Sequence, residues 1–201
     1  MQLVITQLVG LAVFFLGVLI LGLELRMRPT MEGARRMSIA THALFHGGLA
    51  FPMVWGLFWP GARRFDVLVG LMPLPESIVW RVLGVGLLVV GAYFAASAII
   101  ALGKWGRGLA CFILSKRMVE KSMYERVRNP MALGWYLMCL SAACFSRSTY
   151  LMLYLLLGHI PAHVFYLRFF EERELALRFG ESYTLYKERV PFLIPSARLL
   201  G

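Results

Sequence analysis

Five apolar intervals separated by short polar ones set the outline of the chain. Residues 1–23 carry no charge and exceed the ~20 helical residues needed to cross a hydrocarbon core of ~30 Å. The next charge-free run, Ser38 to Ala62, is interrupted by Gly47, Gly48, Pro52 and Gly56, which in a membrane helix permit a kink or a close helix contact. Val82 to Gly103 forms the third span. The fourth, Pro130 to Ser146, is at the short end and opens on a proline, which is favoured in a first helical turn because its missing N–H has no partner there. Ser148 to Leu167 is the fifth. Only a tight turn fits around Arg147, so the last two spans are expected to form an antiparallel hairpin. Val67 to Met72 is too brief to span and is expected to graze the interface or re-enter. After Arg168 the pattern becomes an amphipathic, charge-rich tail.

This pattern predicts an all-α, polytopic membrane helix bundle of about five transmembrane helices with a cytoplasmic amphipathic tail. It divides into N-terminal membrane helices over 1–102 and a core over 103–201. Composition agrees: 59% of residues are hydrophobic and mean hydropathy is +0.69, whereas an ordinary soluble domain is roughly 45–50% apolar. The net charge of +10 could suggest nucleic acid, but Lys and Arg sit between the apolar runs without any nucleic-acid-binding motif, so no nucleic-acid partner is expected. The first, third and C-terminal intervals hold four, seven and six of them, against three and one in the others. The positive-inside bias then places the N-terminus outside and the C-terminus in the cytoplasm, in a membrane expected to be the bacterial inner one. The first span lacks the basic start and small-residue cleavage site of a signal peptide, so it is expected to stay as an anchor. Cys111, Cys139 and Cys144 have neither disulfide nor metal spacing and are read as packing residues.

Candidate chemistry concentrates in the longest polar interval, Gly103 to Gly134, and in the tail, which the topology brings to one membrane face. Glu171 and Glu172 stand where the fifth helix leaves the bilayer, and adjacent carboxylates there need a cation or hydroxyl partner. A structural reading pairs them with Arg168, Arg173 or loop arginines. The four histidines form two i, i+4 pairs, His42 with His46 and His159 with His163. Facing pairs of this kind could bind haem or a metal for electron transfer, although four are few for a di-iron membrane oxygenase. Pro161 is expected to kink the fifth helix beside His163, and Trp55 and Trp59 suit an interfacial belt.

Several short features follow one another in fixed order: Gly106-Arg107-Gly108; Tyr124 with Val127-Arg128-Asn129-Pro130 and Gly134; Glu171-Glu172; then Phe179-Gly180, Tyr183, Tyr186, Val190-Pro191 and Pro195. Together they resemble the isoprenylcysteine carboxyl methyltransferase family and its phospholipid methyltransferase relatives, particularly bacterial members. That pattern has a glycine step, a block G-x-Y-x-x-V-R-(H or N)-P-x-Y-x-G, a helix ending in Glu-Glu, and F-G-x-x-Y-x-x-Y-x-x-x-V-P-x-x-I-P. Here Ser122 replaces the glycine before the tyrosine, Ala132 replaces the second tyrosine, and Phe192-Leu193 replaces the usual Arg-Trp.

The resemblance implies a membrane methyltransferase using S-adenosylmethionine, held between the membrane helices and the tail, with a lipophilic small molecule or lipid as acceptor. It implies cofactor contacts from Gly106, Gly108, Tyr124, Arg128, Asn129, Pro130, Gly134, Glu171 and Glu172. Arg128, Glu171 and His163, the last matching a histidine of bacterial members, are the residues implied in catalysis; no metal is implied. No glycine-rich turn follows a strand, so a Rossmann-type site is not expected. A carboxylate acceptor would need no base, whereas an amine acceptor would have to lose a proton to Glu171, Glu172 or His163. The alternatives are the haem or metal protein built on the histidine pairs, and a diverged, non-catalytic membrane protein.

Overall fold

The computed structural model describes residues 2–106 and 116–195, and among them every regular element is helical. The elements are α1 (Gln2–Met27), α2 (residues 31–61), α3 (Ala62–Leu68), α4 (Ile78–Gly106), α5 (Pro130–Ser146), α6 (Thr149–Phe179) and α7 (Glu181–Arg189). Three of them, α1 from Val4 onward, α4 and α6, are long and apolar enough to cross a membrane, and α5 is a shorter apolar helix. Helix α2 covers all but the last residue of the expected second run, with two histidines, five glycines and two prolines diluting its apolar character. The chain is therefore an integral membrane, all-helical protein of several spans, as its hydrophobic pattern predicts. It divides into two compact units, one of Met1–Val82 with Ala142–Arg178 and one of Leu83–Ser141 with Phe179–Gly201.

In the first unit, α1 buries Phe14, Val18 and Leu25 completely while Ile5, Val9, Leu16 and Ile20 are exposed. For a helix solvated by lipid that is the favourable arrangement, because hydrocarbon takes the exposed side chains without penalty. Small residues set the packing distances. A side-chain carbon at Gly48 would lie 2.8 Å from the Gly10 carbonyl oxygen, and one at Gly22 would lie 2.5 Å from the Phe169 ring of α6. The Thr30 hydroxyl opens α2 by accepting the Gly33 N–H at 3.1 Å.

The expected kinks are π-helical turns. Phe45–Ala50 is one and Tyr154–His159 is another. Each immediately precedes a segment with proline at its second residue, Pro52 or Pro161. A proline cannot donate to the carbonyl four residues back and its ring crowds that carbonyl, so the preceding turn widens. Gly61, with φ of +94°, then ends α2 in a conformation that a Cβ would disfavour.

The interval after α2 and the turn before α6 are bound together at one end of this unit. Arg147 makes the expected tight turn at φ of +53°. Ser148 caps α6 by accepting the Leu151 N–H at 3.1 Å and donates its hydroxyl to the Ala62 carbonyl at 3.2 Å. Thr149 donates to the Met72 carbonyl at 2.6 Å, and the Leu74 N–H donates to that of Arg147 at 2.9 Å. Asp66, wholly buried, accepts the Tyr150 N–H at 2.6 Å. The stretch expected to graze or re-enter the membrane is thus the end of a short helix and a turn, with Val67 and Met72 largely exposed.

In the second unit, α4 presents a face of small residues, with Gly84, Gly91, Ala95, Ala98 and Ala101 all buried. Ser141 of α5 donates to the Gly84 carbonyl at 2.8 Å. A hydroxyl facing hydrocarbon would lose its partners, so this bond also fixes the rotation of α5.

Replacing Asp66 by alanine is expected to cost about 1–3 kcal/mol, because a buried helix-terminal N–H loses its acceptor. Replacing Glu76, whose carboxylate lies 3.3 Å from Arg147 and is mostly exposed, should cost no more than about 1 kcal/mol. Thermal unfolding of both variants in one detergent checks the contrast.

Candidate functional site

The motif residues of the second unit lie on a polar segment braced by the chain's C-terminal part. The Gly106 carbonyl, at the end of α4, accepts the N–H groups of Lys116 and Arg117 at 2.8 and 3.2 Å. Gly108 lies outside the described residues. Ser122, at φ of +61°, turns the chain into a single 3-10 turn, Ser122–Glu125. This left-handed conformation gives a physical reason for glycine at that place in the motif, since a Cβ there costs about 1–2 kcal/mol.

The residues after this turn are tied to α7 and its extension. Tyr186, buried on α7, donates its hydroxyl to the Tyr124 carbonyl at 2.7 Å. Burial pushes the Tyr186 phenol up, with Arg128 opposing the shift, Glu120 adding to it and Arg189 opposing it again, so the group stays a donor. The Arg128 N–H donates to the Pro191 carbonyl at 2.9 Å. Its guanidinium donates to the Lys187 carbonyl at 3.3 Å and lies 5.7 Å from the centre of the Phe192 ring. The Asn129 side-chain amide donates to the Phe192 carbonyl at 3.0 Å. Arg189 pairs with Glu120 at 2.7 Å. Pro130 starts α5 fully buried.

Gly134 serves packing. A carbon added to it would lie 2.6 Å from both the Ala95 nitrogen and the Gly91 carbonyl oxygen of α4. Its missing side chain is the space that α4 occupies.

In the first unit, α6 carries His163, Glu171 and Glu172. His163 is buried between the Phe45 ring, 4.4 Å away, and that of Tyr166, 5.5 Å away. Glu171 closes another π-helical turn, Leu167–Glu171, which shifts the following side chains around the helix axis relative to a regular α-helix. Glu171 and Glu172 are half-buried, and Glu174, one turn on, is buried. Glu174 pairs with Arg178 at 2.9 Å. Three carboxylates so close together, in a site with restricted access to water, favour a positively charged partner.

Three of the four histidines surround Phe45, whose ring contacts those of His46, His159 and His163 at 5.3, 6.4 and 4.4 Å, and His42 lies against the Tyr166 ring at 6.4 Å. The Nδ1–H groups of His42 and His46 donate to the carbonyls of Ser38 and His42, each at 2.7 Å. Among the described residues no three His, Cys, Asp or Glu side chains are grouped to hold a metal ion.

Of the residues singled out in the sequence, His163, Glu171 and Glu172 lie in the first unit, and Gly106, Tyr124, Arg128, Asn129, Pro130 and Gly134 in the second. Sequence reasoning passed over Glu174 and over the bracing role of Lys187 and Phe192. The Glu174–Arg178 spacing of four residues on a helix was the available signal for the first. The second depends on backbone carbonyls, which no residue pattern marks.

The family model for phospholipid methyltransferases matches residues 79–182, about half of the chain. No curated protein and no solved structure gives a significant match. The matched stretch runs from the start of α4 to the first turn of α7, so it takes in both motif segments and leaves α1, α2 and the last bracing residues outside.

Substituting glycine for Ser122 should stabilise the protein by about 0.5–1 kcal/mol, the left-handed strain relieved less the added chain entropy. A raised melting temperature checks it. Gly134→Val should destabilise by about 1–3 kcal/mol through overpacking; weakened ligand binding at unchanged melting temperature would instead show a direct contact role.

Proposed function

The chain belongs to the phospholipid methyltransferase family, and on that premise we propose that it uses S-adenosylmethionine to methylate a lipophilic or lipid acceptor at the cytoplasmic face of a bacterial inner membrane. The observation that carries the cofactor is the family match, with which the charged groups of each unit agree in kind. The ligand bears an ammonium, a carboxylate and a sulfonium. Glu171 and Glu172 offer half-buried carboxylates next to Glu174, suited to an ammonium or to ribose hydroxyls. Arg128 offers a guanidinium placed by the Lys187 carbonyl and the Phe192 ring, on a backbone tied to Pro191, suited to a carboxylate through charge-assisted bonds. Tyr124 and Asn129 shape the backbone beside it. Gly106 ends α4, and its carbonyl accepts the Lys116 and Arg117 N–H groups.

When bound, the cofactor supplies an electrophilic methyl group on a positively charged sulfur. The protein's part is to align the acceptor in line with that group, exclude water and provide a field matched to the charge that moves. Glu171 and its neighbours stabilise the positive charge of the ground state, so their main contribution is to binding. For an amine acceptor, Glu171 or His163 takes the proton that must leave before attack. A carboxylate acceptor needs no such step, and then Arg128 and Glu171 suffice. The apolar helices hold the acceptor's hydrocarbon part in lipid throughout, which accounts for a methyltransferase built into the bilayer. The lysine and arginine asymmetry of the intervals supports the cytoplasmic placement.

Calorimetry of S-adenosylhomocysteine binding to the detergent-purified protein tests this reading. Micromolar binding is expected, weakened at least about tenfold by Glu171→Gln and by Arg128→Ala, each a loss of about 1.5–3 kcal/mol from a charge-assisted contact. No binding at millimolar ligand, with the protein folded, would refute it.

A further inference from the structure

Arg128 is the one cation among the proposed site residues, and its position is set by the segment that follows α7. Its own N–H is committed to Pro191, its guanidinium reaches the Lys187 carbonyl, and the neighbouring Asn129 amide holds the Phe192 carbonyl at 3.0 Å. These bonds place the Phe192 ring 5.7 Å from the guanidinium carbon, inside the ~6 Å range of a cation–π contact. The chain lacks the arginine that the resembled pattern has at this place. An arginine there would set a second positive charge beside Arg128, whereas the ring attracts the guanidinium and leaves it as a single charge.

We propose that Phe192, fixed by Asn129, is the positioning residue for Arg128, and that the 187–192 segment sets how tightly this arginine takes the anionic group of a ligand. The cofactor carboxylate is that group, so the consequence for binding rests on the function proposed above. The positioning itself does not. The ring lies outside the stretch matched by the family model, at a place where this chain departs from the resembled pattern.

Two measurements on the full chain separate the two claims. The first is the rate at which phenylglyoxal, an arginine-selective dicarbonyl, labels Arg128, followed by mass spectrometry. Phe192→Leu and Asn129→Ala should each raise that rate about three- to tenfold, the size of one cation–π contact, and Phe192→Tyr should restore it. The second is S-adenosylhomocysteine affinity, which should fall by a similar factor in Phe192→Leu and recover in Phe192→Tyr at matched melting temperatures. An unchanged labelling rate, or a tyrosine variant as labile as the leucine one, overturns the positioning role. Altered labelling with wild-type affinity retained overturns its consequence for binding. Altered labelling in the variants, with a wild-type protein that binds no S-adenosylhomocysteine, upholds the positioning of Arg128 and refutes the cofactor reading instead.

Discussion

Hydrocarbon offers no hydrogen-bond partner, and that constraint explains where many polar groups of the described residues lie. Within the apolar helices the polar side chains are turned onto the backbone: Ser141 onto Gly84, His42 onto Ser38, His46 onto His42. Where chain direction must reverse, the freed groups are capped from within the protein, as Ser148 and Asp66 do for the start of α6. The prolines obey the same rule. Each removes one donor from a membrane helix, and the turn before it widens so that the remaining carbonyls keep partners. Ionisable side chains grouped on a membrane helix point to a function, and the carboxylates of α6, with Glu174 held by Arg178, are the clearest such group.

Much of the architecture could be read from the hydrophobic pattern because the lipid solvent makes length and charge decisive. Helices α1, α4 and α5 begin and end within a few residues of their predicted limits, whereas α6 starts where expected but runs twelve residues past Leu167 to Phe179, and the tight turn at Arg147 is where a single polar position forced it. The π-helical turns were less legible. Pro52 and Pro161 announced a distortion, but only the backbone shows that it is a widened turn, and Leu167–Glu171 has no proline to announce it. The stretch Val67 to Met72 reads as apolar, yet its position is settled by Asp66, a polar neighbour bonded to a residue more than eighty positions away.

The site was legible as residue types and much less so as roles. Order and identity picked out Arg128, Asn129, Glu171 and Glu172, and the family assignment follows from that stretch of chain. The physical meaning of individual positions came from geometry. Ser122 has the left-handed backbone for which the motif supplies glycine. Gly134 is small because α4 fills the space beside it. Asn129 holds backbone, and the ring it secures lies against Arg128. The residue type at a motif position can thus have a packing or backbone reason.

The central claim is methyl transfer to a lipid-soluble acceptor, and the most direct measurement follows a tritiated methyl group from S-adenosylmethionine into the organic extract of membranes containing the protein. Radioactivity should appear in an extractable product with the wild type and fall at least about tenfold with Glu171→Gln, at equal protein level and melting temperature. Equal incorporation in membranes with and without the protein, across extracts of its host's own lipids, would contradict the account.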